Sequence, residues 1–515
     1  MSTTDRDLLT TPKKGRPLIA YYNPQYNHTV DFKPPPRPQQ SVRDSSIYEV
    51  VEPPRRVPPT PAPRTRKPNR SWKLCNRLLW VLPLLYTQFW IAVACAIVQY
   101  FFPSLATTRA VEEWKNVYVN TAFTGAMLIG SVISERLMVC MTAARLFICS
   151  HGFVILCTLL FGCLYWSPGG EIITGIAIGG AAIGGLFLAF YLVSMYTVTT
   201  EWSKGSAGIA IAVMLCVWKA GYIVGPILGD AVVKLWMYPL PFFACGGILF
   251  LSFLVIAVRG PVPSEKERRS GYDFFVTAIE TLDHALSRDV KYRKAFLDSL
   301  FLIDMATALL SAVIISFNET TLKPHLQTFT LTTVDLETTF TVQLACYGIG
   351  ALTVGVFSYF NKEETCLLFG QTLAMVAYFF LGPVPFLEME PSMWRLFLCQ
   401  VCIGLSTAAM FVASFSHAIE RLYELGYPET TRTTGFVSCV FFTFLSIGIV
   451  STPPLAQHLV DTFGYRLGSM PLLGTLAVWW IVIFVMWVCS LRRCCKAGRR
   501  TRLTSDETAS RTSAP

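Results

Sequence analysis

Apolar residues run along this chain in twelve blocks of about twenty, at 78–101, 117–135, 146–166, 172–197, 206–229, 239–258, 297–317, 339–360, 366–387, 395–417, 434–456 and 471–490. An α-helix rises about 1.5 Å per residue, so each block can cross roughly 30 Å of hydrocarbon. The pattern predicts an all-α polytopic membrane protein with 12 transmembrane helices. Composition changes the picture only by exclusion: 53% of residues are apolar and 15% charged, against about 25% charged in a soluble domain. A soluble enzyme, a disulfide-stapled secreted module and a disordered protein are all excluded.

The polar stretches divide the chain into five regions. Residues 1–70, rich in Pro, Arg, Ser and Thr, predict a disordered tail with polyproline II stretches. No apolar block precedes Leu78, so no signal peptide is expected and the tail stays on the side of synthesis. An N-terminal six-helix bundle follows at 78–258, then a linker at 259–294, a C-terminal bundle at 295–490 and a basic tail at 491–515. The linker carries Phe274, Phe275, Ile279, Leu282 and Leu286 at helical spacing, the pattern of an amphipathic helix.

Net charge is +10, and 36 of the 43 Lys and Arg fall in the tails and alternate loops, with six in the other loops and Lys219 inside a block. By the positive-inside rule both termini are cytoplasmic. The basic excess then reports topology, and no nucleic-acid partner is expected. The sixteen cysteines lack ligand spacing, so the reading is no disulfide framework, no metal and no cofactor.

The two halves echo one another. Gly221-x-x-x-Gly225-Pro226-x-x-Gly229 in the fifth block is matched by Gly448, Thr452, Pro453 and Ala456 in the eleventh, 227 residues later. Two parallel six-span repeats around a central cavity predict the major facilitator fold. The fifth-block run resembles that superfamily's antiporter motif. Its glycines let helices touch backbone to backbone and its proline bends the helix, and the resemblance implies a gate that seals against leak. A generic small-residue packing face is the alternative.

The chain also resembles the vesicular amine transporter family, closest to its polyamine-type branch. The resemblance rests on Phe101-Phe102-Pro103 ending the first block, Phe317-Asn318-Glu319-Thr-Thr-Leu322 closing the seventh, and the runs Leu425–Glu429, Thr434–Ser438 and Leu459–Tyr465 around the eleventh. Three departures bear on substrate. Ile91 stands near the place where monoamine carriers have an Asp; the tenth and eleventh blocks lack their acidic residues; and Glu135-Arg136 replaces the superfamily's Asp-Arg. Monoamines are not the expected cargo.

Charged groups within blocks are costly and by default functional. Asp304 and Glu319 share the seventh helix. Fifteen residues separate them by about 22 Å along the axis and leave them within about 60° of one face. A carboxylate facing an apolar cavity is costly to leave charged, and a proton or an ammonium group relieves that cost. This is the minimal chemistry of proton/amine antiport, with Glu319 as the coupling or substrate carboxylate and Asp304 as its helper. The competing readings are an interfacial Glu319 and an Asp304 paired with a loop cation such as Arg293. Lys219 is read as a charge-balancing partner for either acid. Gln88, Gln99 and Asn318 are polar cavity candidates, and His417 and His458 read as interfacial.

The expected function is a secondary transporter exchanging protons for a small organic cation across a vesicular or endosomal membrane, with the plasma membrane as second choice. Its partners are the lipid bilayer, the solute and protons. The tail adds Asp5–Leu9, Asn23–Tyr26 and Tyr48–Val51 as clathrin-adaptor signals and Arg55–Pro61 as an SH3 ligand, while Cys494 and Cys495 suit palmitoylation. The alternatives are an anion or neutral-solute carrier using Lys219, and a transport-silent adaptor or receptor acting through the tail.

Overall fold

The computed structural model describes residues 70–512 apart from 110, 113–114, 204–205, 236, 260–291, 328–332 and 383–392. The tail signals and nearly all of the expected amphipathic linker helix therefore lie outside the described residues. Twelve long helices account for almost everything else: α1 (Arg70–Thr108), α2 (Lys115–Cys140), α3 (Ala143–Cys163), α4 (Glu171–Trp202), α5 (Ala207–Val233), α6 (Leu240–Arg259), α7 (Ser299–Gln327), α8 (Thr333–Ser358), α9 (Glu363–Leu381), α10 (Met393–Glu424), α11 (Thr431–Gly468) and α12 (Met470–Thr512). All twelve are long and apolar enough to cross a membrane. In lipid an unpaired backbone amide costs several kcal/mol, which is why every crossing is helical.

Because twelve crossings alternate, α1 begins and α12 ends on one side, here the terminus face; the opposite side is the far face. Pro103, read as ending the first block, lies inside α1 instead, which continues to Thr108, and α11 runs past Pro453 and Pro454 to Gly468. Neighbouring helices shield the freed carbonyls, so proline bends a membrane helix without stopping it. The break in α11 falls at Gly464, whose φ of 74° suits only glycine without strain. Likewise α7 does not close after Phe317 but runs ten residues further, to Gln327.

Packing repeats between the halves. In the first, α1 lies on α5, α2 on α4, and α3 on both α4 and α6; in the second, α7 lies on α11, α8 on α10, and α9 on both α10 and α12. The echoing motifs mark equivalent joints. A Cβ on Gly221 would lie 2.5 Å from the Phe89 carbonyl oxygen of α1, and one on Gly448 2.8 Å from the Leu309 carbonyl oxygen of α7. Only glycine permits either approach.

The halves meet through α5 against α8, and through α2 and α4 against α11. The α5–α8 seam is a run of small residues: Gly208 abuts Ser358, Ala212 abuts Gly355, and Cys216 abuts Gly348. These contacts span the terminus-side half of both helices. Toward the far face, an exposed hydrogen bond from Tyr100 of α1 to Glu337 of α8, at 3.3 Å, bridges the halves. No extended packing joins α1 to α7 among the described residues. The halves are thus closed on the terminus face and parted toward the far face.

Candidate functional site

The α5–α8 seam ends at a charge. One turn beyond Cys216, the Lys219 Nζ sits 4.4 Å above the ring of Tyr347, the residue preceding Gly348. Tyr347 is buried and Lys219 half-buried. This cation–π contact steadies an ammonium group that has left water. Across from it, α7 presents Glu319. Its side chain is exposed, yet its electrostatic neighbours are Lys219 and Tyr222 of α5. The exposure is therefore to the hollow between the halves, not to lipid. Lys219 and Glu319 act on each other through space without a direct ion pair. Trp218 stacks toward Tyr222 with ring centroids 5.6 Å apart, adding an aromatic wall on α5.

Beneath the hollow, toward the terminus face, five aromatic rings fill the space between halves. Tyr196 of α4 packs on Phe442 of α11 at 5.1 Å, and Phe411 and Phe415 of α10 pack on Phe441 at 4.9 and 4.5 Å. All five are buried. Such a plug excludes water without any charge. Below it stands a polar clasp. Arg432 at the start of α11 donates to Glu135 Oε1 of α2 at 2.6 Å and to the Glu135 carbonyl oxygen at 3.3 Å. Thr443 donates to Ser131 at 3.3 Å along the same seam.

The other expected site residues fall elsewhere. Asp304 is fully buried inside the C-terminal half, and its partner is His417, with Nδ1 2.7 Å from Oδ2, rather than the exposed Arg293. His417, read as interfacial, is a half-buried partner of Asp304 instead, and His458 is exposed. Asn318 faces away from the hollow: its amide donates to Gln343 at 3.0 Å and Gln400 at 2.9 Å, all three buried. Consecutive helical residues point about 100° apart, so Asn318 and Glu319 face different surroundings. Gln88 is also buried, accepting from Tyr191 at 2.9 Å inside the N-terminal half. Gln99 is exposed toward the far-face end of α1. Gly221, Gly225 and Gly229 are buried against Phe89, Ala96 and Phe101 of α1, and Pro226 lies within α5.

Four residues of this geometry escaped the sequence reading. Tyr347, Tyr222 and Arg432 look like ordinary members of an apolar or loop-proximal stretch, and His417 like an interfacial one. One signal was available for Arg432: it and Glu135 are opposite charges at the ends of helices that share a face of the bundle.

Comparison with known proteins agrees with the fold. The family model described as Major Facilitator Superfamily matches residues 114–449. The MFS-type transporter SLC18B1 of Homo sapiens is 21% identical over 369 residues, covering 71% of this chain and 76% of its own length. The protein of the same name from Rattus norvegicus is 22% identical over 406 residues, covering 77% and 84%. The crystal structure of the human organic anion transporter MFSD10 (TETRAN) superposes with a TM-score of 0.59 at 13% identity, covering 79% of this chain and 99% of that one. At that identity the likeness is one of fold.

Proposed function

We propose that this chain, which belongs to the Major Facilitator Superfamily, is a secondary transporter exchanging protons for a small organic cation of the polyamine type. In this reading both termini are cytoplasmic, the far face is lumenal, and the membrane is vesicular or endosomal. The observation that carries it is Glu319: an exposed carboxylate in the hollow, facing Lys219 and Tyr222 and without a direct ion pair. A carboxylate so placed is neutralised through space by Lys219 when the site is empty, and more closely by either a proton or an ammonium group. It holds one or the other. That exclusivity is what an exchanger needs, because the amine leaves when a proton replaces it.

Lys219 sets the rest of the arithmetic. With Glu319 ionised the pair sums to zero, one bound proton raises it to plus one, and a polyamine adds one positive charge for each ammonium group it carries. In none of these states does the hollow hold an unbalanced anion. The aromatic plug and the clasp close the terminus face while the hollow faces the lumen, one of the two states of alternating access.

The second reading uses the same hollow for an anionic solute bound directly by Lys219, favoured by that ammonium group lying at its floor. Proteoliposomes with an imposed pH gradient separate the two. Under the first reading labelled spermidine accumulates, and both a protonophore and Glu319→Gln reduce the accumulation at least about tenfold, the equivalent of losing roughly 1.4 kcal/mol. Uptake of an organic anion that Lys219→Ala abolishes, with no spermidine flux, overturns it in favour of the second.

A further inference from the structure

A second set of ionisable groups lies outside the hollow, within the C-terminal half. Asp304 is fully buried, and while its Oδ2 meets His417, its Oδ1 has no hydrogen-bond partner. His417 Nε2 in turn lies 3.8 Å from Glu364 Oε1 in the first turn of α9, and Glu364 is one-fifth exposed, at 20%. The chain Asp304–His417–Glu364 therefore climbs from a sealed position toward the terminus face. Beside it, buried Glu363 accepts from Ser416 at 3.5 Å. Ser416 and Glu420 line a cleft of about 300 Å³ at the terminus face, whose wall also includes Thr200, Ser358 and Glu429.

The charges facing this cluster do not balance. From α9 come Glu363 and Glu364, and from α10 come His417, Glu420, Arg421 and Glu424. Asp298, just before α7, is already committed to Arg421 through bonds of 2.9 and 2.8 Å, and Arg421 also bonds Glu424 at 2.8 Å. Arg432 of α11 is taken by Glu135, and residues 470–491 of α12 contain no charged side chain. Four carboxyl groups (Asp304, Glu363, Glu364, Glu420) thus share one imidazole. Asp304 and Glu363 are buried, while Glu364 is partly exposed and Glu420 exposed at the terminus face. A buried carboxylate is costly to leave charged, and a proton relieves that cost.

We propose that Asp304 and His417 form a proton site of the C-terminal half, filled and emptied from the terminus face by way of Glu364, Glu363 and Glu420, and separate from the hollow at Glu319. With His417 as imidazolium, its Nδ1–H donates to Asp304 Oδ2 and its Nε2–H is directed to Glu364. Transfer of the Nε2 proton to Glu364 leaves a neutral imidazole still donating to Asp304, and a proton returned by Glu364 restores the imidazolium. Only N–H and O–H bonds form and break.

The site shares a rigid element with the hollow. Asp304 and Glu319 are carried on α7, and α7 is tied to α10 by the Asp304–His417 contact at one end and Asn318–Gln400 at the other. Proton loss from His417 turns a charge-assisted bond to Asp304 into a weaker bond from a neutral imidazole, on the helix that also bears Glu319. Its role as the coupling proton of antiport rests on the reading given under Proposed function; its existence as a proton site does not.

The test has two arms. In proteoliposomes, Asp304→Asn and His417→Gln should keep spermidine counterflow at equal pH within about twofold of wild type yet lose gradient-driven accumulation at least about tenfold, while Glu319→Gln loses both. Wild-type accumulation by Asp304→Asn overturns the coupling role of the site; if that variant fails to fold, Glu364→Gln takes its place under the same criterion. The second arm is ¹⁵N-histidine NMR of the purified full chain, with His417 assigned by the signal missing from His417→Gln. Its titration midpoint should move by about one pH unit or more in Glu364→Gln or Asp304→Asn. An unmoved midpoint overturns the proton site. If wild type carries no spermidine but the midpoint moves, the antiport reading fails and the proton site stands.

Discussion

Replacing Arg432 with Ala removes two hydrogen bonds that exist only while the terminus face is closed. The guanidinium reaches Glu135 Oε1 at 2.6 Å and its carbonyl oxygen at 3.3 Å, and it is kept in position by the Tyr292 ring, 6.0 Å from its centre. The pair is mostly covered, with side-chain exposures of 15% for Arg432 and 27% for Glu135. A fully exposed ion pair contributes about 0–1 kcal/mol, and a covered bond to a charged group about 1.5–3 kcal/mol. An intermediate of about 2 kcal/mol shifts the closed-to-open equilibrium roughly thirtyfold. The molecule supplies its own reporter. Cys439 is buried, two turns along α11 from Arg432 and within electrostatic reach of both clasp residues. A water-soluble maleimide should therefore label Cys439 up to about thirtyfold faster in Arg432→Ala, read by mass spectrometry of the alkylated peptide. Cys157, buried inside the N-terminal half, should label at the wild-type rate. Exchanging the charges, with Glu135→Arg and Arg432→Glu together, should restore protection. An unchanged Cys439 rate in Arg432→Ala would mean that the clasp contributes nothing to closure and that the aromatic plug alone holds the face shut.

Two further predictions concern the scaffold. Gly221→Ala puts a methyl 2.5 Å from a backbone oxygen and 2.7 Å from the Ala92 Cβ of α1, so it should cost about 1–3 kcal/mol and lower the melting temperature in detergent. Gly247→Ala, with nothing within 4 Å, should not, and equal melting of the two would refute the close α1–α5 joint. The second concerns acid. The guanidinium of Arg421 holds the Asp298 carboxyl below its ordinary value, so this group stabilises the fold above about pH 3.9 and loses that contribution as pH falls further. Asp298→Asn should therefore melt earlier than wild type at pH 7, by a gap that narrows steadily as pH falls below about 3.9; a gap that does not narrow in acid would exclude this pairing as its source.

Hydrocarbon thickness makes the twelve crossings readable from sequence, because every span must satisfy its own backbone over the same distance. It likewise makes Asp304, Lys219 and Glu319 conspicuous, since a charge in an apolar block has no innocent explanation in composition. Their partners are a different matter. His417 lies 113 residues from Asp304, and Arg432 lies 297 from Glu135, and nothing local to either names the other. Facing is the second gap. Asn318 and Glu319 are adjacent polar residues with equal claim to the hollow, yet one satisfies two buried amides and the other stands exposed. The direction a side chain points depends on the rotation of α7 about its axis, which is set by packing against α10 and α11. The chain ends of α1, α7 and α11 show the third gap: proline stops a helix in water, where freed carbonyls are exposed, but not where other helices cover them.

The arrangement of charge along the molecule also limits how the two states can interconvert. Cross-half attraction on the terminus face comes from Glu135 and Arg432, and on the far face from the exposed Tyr100–Glu337 bond. The far-face contact is neutral on one side and open to solvent, so it is the weaker of the two. With the site empty, closure of the terminus face is therefore favoured, and the hollow rests facing the far side. For the molecule to turn over, something bound in the hollow must offset the clasp. Under the exchange proposed above that part falls to the cation taken up at Glu319, which turns the neutral Glu319–Lys219 pair into a net positive one before the clasp opens.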